Sequence, residues 1–455
     1  MTTPLMISVA GVRGIVGESL TPPVLARFAA AFARTLGAGP VVVGRDARRS
    51  GPMVLEAVTA GLTAAGRDVV DIGLATTPTT QIAVEDGAAA GGVILTASHN
   101  PAEWNALKFL SARGEFLDAD AGAAVRTRYE SGADLWVPFD RLGATRGEAR
   151  ALERHLDRVT TLDVIDVPAI ARRGLRVVVD GCASVGGVAV PALLARLGAS
   201  MTEIDCVPNG NFTRVLEPLP EHLGALGAAV RAAGADLGIA LDPDADRAAF
   251  VDAAGVPLGE ELTLALAARV VLAKHPGPVV TNLSTSSIMD AVCARAGVAL
   301  HRTPVGEAHV VAGMRRHGAI VGGEGNGGVI LPAAHYGRDG LVAMALIAQA
   351  VTAAAKPLRA LADELPRLAM VKSKLPRPDG PWEGTASRLR AAFPEHAADT
   401  ADGLRLARDG EWVHVRPSGT EPVVRVIAEA RDERRTLELI ERARGVLAAG
   451  AREEA

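Results

Sequence analysis

The stretch Gly39–Gly73, GPVVVGRDARRSGPMVLEAVTAGLTAAGRDVVDIG, decides how the fold is read. A valine run passes into a small-residue loop, then an alanine-rich helical pattern, an Ala-Gly stop and a second apolar run. That order spells strand, loop, helix, strand. The glycine after the helical pattern is a stop signal, because helices commonly end on a left-handed residue that glycine adopts without steric cost. The unit recurs as LRVVVDGCASVGGVAVPALLARLGASMTEID from Leu175 and as GPVVTNLSTSSIMDAVCARAGVALHRTPVG from Gly277. Copies more than 100 residues apart are not a solenoid, whose period is about 20–50 residues. They predict three similar α/β domains with mostly parallel strands.

The tail departs from this rhythm. From about Lys372, KSKLPRPDGPWEG is rich in proline, glycine and charge and reads as a linker. Two strand-like runs then meet at Asp409-Gly410, a hairpin signal, and RRTLELIERARGVLAAG reads as a closing helix. A smaller α+β fourth domain is expected. The expected boundaries are 1–150, 151–256, 257–368 and 369–455.

The chain has 455 residues, too many for one core, and 49% hydrophobic residues supply several interiors. Aromatics at 3% argue against stacking platforms for nucleic acid, and a net charge of −4 gives no reason to expect a nucleic-acid or membrane partner. The three cysteines, Cys182, Cys206 and Cys293, lack Cys-x-x-Cys spacing, so a disulfide scaffold and a thiolate zinc site are excluded. No window has the length of a membrane helix or a secretory leader, and a cytoplasmic protein is expected.

Four stretches carry chemistry. In Ile94–Phe109, ILTASHNPAEWNALKF, an apolar run empties into Thr-Ala-Ser-His-Asn-Pro, and Lys108 follows Ser98 by ten residues. Ordinary turn chemistry is one reading, with Thr96, Ser98 and Asn100 as turn and cap residues and Pro101 at a helix start. A nucleophile with its helpers is the other. A serine-hydrolase elbow is excluded, because Thr96 and Asn100 stand where Gly-x-Ser-x-Gly needs glycines. The second stretch, ALDPDADRAAFVD, presents Asp242, Asp244 and Asp246. On extended backbone such alternating side chains share a side. Three carboxylates so placed repel unless a hard cation such as Mg²⁺ or Ca²⁺ lies among them. An EF-hand is excluded, since Arg247 and Ala253 stand where its loop needs glycine and glutamate. Arg247 is suited to neutralising a phosphate held by the same ion.

The third stretch, AIVGGEGNGGVILP, spells Gly-x-Gly-x-x-Gly but runs into another strand instead of opening a helix, so a dinucleotide site is rejected. Glu324 and Asn326 remain on a glycine-rich turn, suited to sugar hydroxyls or to a plain hairpin. The fourth, VRPSGTEPVVR, combines the Arg416 guanidinium with Ser418, Gly419 and Thr420, either a phosphate cradle or a structural turn. The chain has no Gly-Lys pair, which excludes a Walker A nucleotide site. GRDARRSG reads as a helix-start loop.

Together these stretches resemble the α-D-phosphohexomutases, the phosphoglucomutases, phosphomannomutases and phosphoglucosamine mutases, over essentially the whole chain and in the family's order. TASHNP is similar to the family's phosphoserine loop, DPDADR to its magnesium loop, GGEGNGG to its sugar loop and RPSGTEP to its phosphate loop. The resemblance implies a four-domain α/β architecture around a central cleft, with a smaller α+β C-terminal domain. It also implies transfer between hexose 6-phosphate and hexose 1-phosphate through a phosphoserine and a hexose 1,6-bisphosphate. Ser98 would carry the phosphoryl group, and Asp242, Asp244, Asp246 and that group would hold Mg²⁺. Lys108 would act as general base and acid, with Arg13 lowering its pKa, and His99 would shape the loop. Arg247, Gly306, Glu307, Glu324, Asn326, Arg416, Ser418, Gly419 and Thr420 would bind the sugar phosphate. A monomer or homodimer is expected. There are departures: Asn105-Ala106 replaces Asn-Gly, Pro243 replaces a glycine, and Gly328 stands where many bacterial members have a histidine. The combination Trp-Asn-Ala-Leu-Lys with Gly-Glu-Gly-Asn-Gly-Gly resembles a phosphoglucosamine-mutase-like branch.

Overall fold

Val41, Val42 and Val43 are buried on both faces of their strand, which is why the run carries no polar alternation. The computed structural model describes residues 5–9, 11–378, 380–418 and 423–450. All three repeats form as read. They are strand Val41–Arg45, helix Gly51–Ala64 and strand Val69–Leu74; then Arg176–Asp180, Gly186–Leu197 and Ser200–Ile204; then Val279–Asn282, Ile288–Ala296 and Leu300–Thr303. Within each repeat the two strands pair in parallel. The second and third helices stop on Gly198 and Gly297 at φ +68° and +67°, as the stop signal requires.

The chain divides into two compact units, Met1–His275 with Ile320–Ala362, and Pro276–Ala319 with Asp363–Ala455. The first holds a seven-stranded mixed sheet in the order Met6–Ser8, Gly11–Ile15, Trp104–Ser111, Gly91–Leu95, Val41–Arg45, Val69–Leu74, Thr145–Gly147. Its second sheet runs Ala248–Asp252, Leu237–Leu241, Arg176–Asp180, Ser200–Ile204. Strand Trp104–Ser111 lies antiparallel between Gly11–Ile15 and Gly91–Leu95, which aligns Lys108 with Gly11 on one side and Ile94 on the other. Pro101 therefore starts no helix: the serine loop turns straight back into the sheet. Helix Gly340–Ala354 belongs to this unit and is buried continuously from Gly340 to Ala348, so it is apolar all round. Its cap is Asp339, whose Oδ1 accepts from the N–H groups of Leu341 and Val342 at 2.8 and 3.1 Å. Burial works against charge on Asp339, but His155 and His335 on its other oxygen hold the carboxyl well below the usual range.

In the second unit an antiparallel sheet runs Ala369–Pro376, Val423–Ala430, Glu411–Pro417, Leu404–Arg408, Ala397–Asp399. Helices Trp382–Ala392 and Glu433–Gly450 bury Leu389, Leu439, Ile440 and Ala443 against it. The Asp409-Gly410 hairpin is present, pairing Arg408 with Glu411. The start of the expected linker is instead an edge strand, residues Ala369–Pro376 pairing along their length with Val423–Ala430. Alternating exposure along that edge strand hides its period behind lysines and proline. Glu411 receives Arg435 through Nε at 2.7 Å and Nη2 at 2.8 Å, and Arg408 Nε at 2.6 Å. Arg435 pulls its carboxyl down to about 2 against the opposing effect of burial, with Arg408 adding to the pull. Stability from this group is therefore fully present above the unfolded value of about 4.3 and is lost as pH falls through about 2. Glu411→Gln is expected to cost about 1–3 kcal/mol at neutral pH. Denaturant titrations at neutral and strongly acid pH should show that gap closing.

Candidate active site

Ser98 is placed by its backbone. Its φ is +50°, a left-handed conformation that costs a residue with a side chain roughly 1–2 kcal/mol. What holds it there is Arg48, which the sequence reading left in a plain helix-start loop. The Arg48 side chain is buried, and its guanidinium places every N–H on the serine loop or on Asp46. Nη2 donates to the carbonyls of Ser98 and Asn100 at 2.5 and 2.6 Å. Nη1 donates to those of Pro101 and Trp104 at 2.6 and 3.0 Å, and Nε to Asp46 Oδ2 at 3.1 Å. Asp46 also accepts from Thr96 Oγ1 at 2.6 Å, and Thr96 Oγ1 in turn accepts from the Ser98 N–H at 2.9 Å. The only signal in the sequence was an Asp-x-Arg inside a loop. Arg48→Lys loses the planar fork and most of these donors. It is expected to lower kcat by about 10²-fold through loop misplacement, with a lower melting temperature.

The loop points its hydroxyl at the aspartates. Ser98 Oγ donates to Asp242 Oδ2 at 2.9 Å. All three aspartates are fully buried, and one oxygen of each lies within 4.8 Å of the others. They do not converge by strand alternation, as expected from the sequence. Residues 242–247 form a turn between Leu237–Leu241 and Ala248–Asp252, with Ala245 at φ +55°. Burial first, then repulsion from Asp246 and Asp244, pushes the Asp242 carboxyl well up. Burial also opposes charge on Asp244, but Lys108 Nζ at 2.8 Å and Thr77 Oγ1 at 2.7 Å hold it well below the usual range. Among the described residues, Asp244 Oδ1 and Asp246 Oδ1 are buried and accept no hydrogen bond. Clustered carboxylates that keep oxygens without a hydrogen bond fit a hard divalent cation.

Other expected residues take their places around this cluster. Arg13 Nη1 donates to Asn100 Oδ1 at 2.7 Å, a loop contact. His99 is pushed down to about 2 by burial and by the charges of Arg247 and Arg13, so the ring is neutral. Arg247 lies against Glu217 at 3.4 Å and Asp246 at 3.6 Å. Glu324 ends strand Val321–Glu324, and Asn326 sits in the hairpin turn to Gly328–Ile330. Arg338, not singled out in the sequence, bridges Glu324 to Asp246: it donates to Glu324 Oε2 at 2.7 Å and to Asp246 Oδ2 at 2.5 Å.

Gly306, Glu307, Arg416 and Ser418 belong to the second unit. There Asp402 Oδ2 accepts from the Val305 N–H at 3.0 Å and pairs with Arg416 Nε at 3.0 Å, joining the Gly306–Glu307 turn to the arginine. Gly419 and Thr420 lie outside the described residues.

Models of the phosphoglucomutase/phosphomannomutase α/β/α domains I, II and III match residues 6–135, 153–255 and 259–368, and that of the C-terminal domain matches 370–446. A "Probable phosphoglucosamine mutase" of Methanopyrus kandleri is 38% identical, over 94% of this chain and 95% of that protein. The chain belongs to the phosphoglucomutase/phosphomannomutase family. Like its members it is a mutase, an isomerase of the phosphohexomutase type. A "Phosphoglucomutase/phosphomannomutase" of Thermococcus kodakarensis is 36% identical over 95% of this chain and 96% of that one. The crystal structure of a phosphoglucomutase/phosphomannomutase family protein from Burkholderia thailandensis superposes with a TM-score of 0.87 at 28% identity, covering 98% of both chains. The family's four domains and mixed sheets are thus present. Among the described residues no helix is long and apolar enough to cross a membrane.

Proposed function

We propose that this mutase interconverts glucosamine 6-phosphate and glucosamine 1-phosphate through a phosphorylated Ser98 and a hexose 1,6-bisphosphate. The observation that carries the reading is the Ser98 hydroxyl at 2.9 Å from a buried cluster of three carboxylates, two of which keep an oxygen without a hydrogen bond. The negative charge on a transferring phosphoryl group needs such a place. A phosphoserine dianion resists attack in water, and a divalent cation, Mg²⁺ in this reading, supplies positive charge to it when bound. Asp242, Asp244 and Asp246 would hold that cation.

In the transfer, the bond from phosphorus to Ser98 Oγ breaks as one from phosphorus to a sugar oxygen forms. Lys108 is the proposed carrier of the sugar hydroxyl's proton, with Asp244 holding its ammonium in place. Arg13 and His99 shape the loop. Glu324 and Asn326 would accept and donate to sugar hydroxyls, and Arg247, Gly306, Glu307, Arg416 and Ser418, with Gly419 and Thr420, would bind the remainder of the substrate. The glucosamine assignment is supported by the relative at 38% identity, whereas the phosphoglucomutase/phosphomannomutase name belongs to one at 36%.

³¹P NMR tests both layers. The protein is incubated with Mg²⁺, a trace of hexose bisphosphate, and glucosamine 6-phosphate, mannose 1-phosphate or glucose 1-phosphate in separate tubes. Fastest interconversion in the glucosamine tube is expected. A faster mannose or glucose tube would reassign the substrate, and three silent tubes would end the reading.

A further inference from the structure

We propose that Arg338 is a positioning residue of the reaction, one that aims Glu324 and fixes it to the metal loop. This rests on the mutase reading above. The arginine immediately precedes Asp339, the buried cap of helix Gly340–Ala354, so its backbone is anchored to the interior of the first unit. Its side chain is itself nearly buried, and its two Nη atoms reach two carboxylates from different segments. Nη1 takes Glu324 Oε2 at 2.7 Å and Nη2 takes Asp246 Oδ2 at 2.5 Å. Those segments already touch through the backbone, where the Ala248 N–H donates to the Gly327 carbonyl at 3.1 Å. Two buried carboxylates brought this close repel, and a planar fork between them turns repulsion into a fixed angle. A lysine ammonium cannot hold both in one plane. Asn326 Nδ2 reaches the same Glu324 oxygen at 3.4 Å, so Arg338 makes the shorter contact.

The space for this fork comes from Gly328. A Cβ built there would lie 2.3 Å from Arg338 Cδ and 2.9 Å from its Cγ. The crowded atoms are the middle of a side chain pinned at its far end by two ion pairs, so they have no easy way to yield. A side chain at 328 and an arginine bridging Glu324 to Asp246 exclude one another. The bare backbone at 328 is therefore part of the device, and the arginine acts on the sugar through Glu324 without touching the reacting atoms.

The test is a double-mutant cycle with the sugar phosphate turned over in the NMR experiment, Mg²⁺ and bisphosphate present. Arg338→Met removes the fork, and Gly328→Ala displaces it while leaving every charge in the protein. Each is expected to lower kcat/KM at least about 10-fold, with Arg338→Lys recovering only part of the loss. Added to Glu324→Gln, Arg338→Met should cost less than about 3-fold more, because both changes break the same unit. Equal cost of Arg338→Met with and without Glu324→Gln would mean a general structural role and would overturn the proposal. So would a Gly328→Ala protein that turns over like the parent. Inactivity of the parent itself would instead remove the mutase reading, and this proposal with it.

Discussion

Replacing Ser98 by glycine is expected to abolish turnover, by about 10⁴-fold or more, and yet to leave a protein more stable than Ser98→Ala by about 1 kcal/mol. Both variants lose the hydroxyl, so both lose the proposed phosphoryl carrier and the hydrogen bond to Asp242. They differ only in the Cβ, and at φ +50° that atom is the source of the backbone strain. At most positions alanine is the more stable of the two. The reversal here is a direct readout of how hard the loop is held in its functional conformation. Thermal and denaturant unfolding of the parent and both variants, beside a bisphosphate-primed assay, measures it. An alanine variant as stable as the glycine variant would show that the loop relaxes once its hydroxyl is gone.

The second large effect is expected at Asp242. The carboxyl there is pushed up by burial and by Asp246 and Asp244, which is the electrostatic cost of closing the turn around three acids. Asp242→Asn removes one share of that repulsion and one oxygen ligand with a net charge. Without cation, the variant should be at least as stable as the parent. In the parent, Mg²⁺ at about 100 times its dissociation constant should add about 2.7 kcal/mol; in the variant that gain should nearly vanish. Turnover should fall by about 10³-fold, the size of a lost cation contribution of several kcal/mol. Melting curves with and without Mg²⁺ decide the matter: an undiminished gain in the variant would place cation binding elsewhere.

How much of this was legible in the sequence depended on whether the cause was local. The three strand–helix–strand units and the Asp409-Gly410 hairpin follow from periodicity and stop residues, and each is present. Ser98, Lys108 and the aspartates could be singled out because their residue types sit at informative spacings. The reason given for the aspartates was wrong, since a turn with a left-handed Ala245 gathers them and no strand alternation exists there. Arg48 and Arg338 escaped notice because the partners that give them a role, the Ser98 carbonyl and Asp246, lie 50 and 92 positions away in the chain. An arginine whose work is to satisfy the carbonyl acceptors of a distant loop looks, in sequence, like any exposed cation. The division of the chain escaped too. Residues 320–362 join the first unit through the buried helix Gly340–Ala354, whose packing against helix Glu261–Lys274 no local pattern announces.

The grip of Arg48 has a consequence for how this enzyme can change. It seizes carbonyl oxygens, which every residue possesses, and asks nothing of the side chains at Asn100, Pro101 or Trp104. Ser98 is thus held by a clamp that reads the backbone of its loop, while Thr96 and Asn100 add side-chain contacts of their own. Side-chain changes at those positions leave the Arg48 hydrogen bonds in place, so long as the one arginine stays. Such an arrangement uncouples the shape of the loop from much of its own composition.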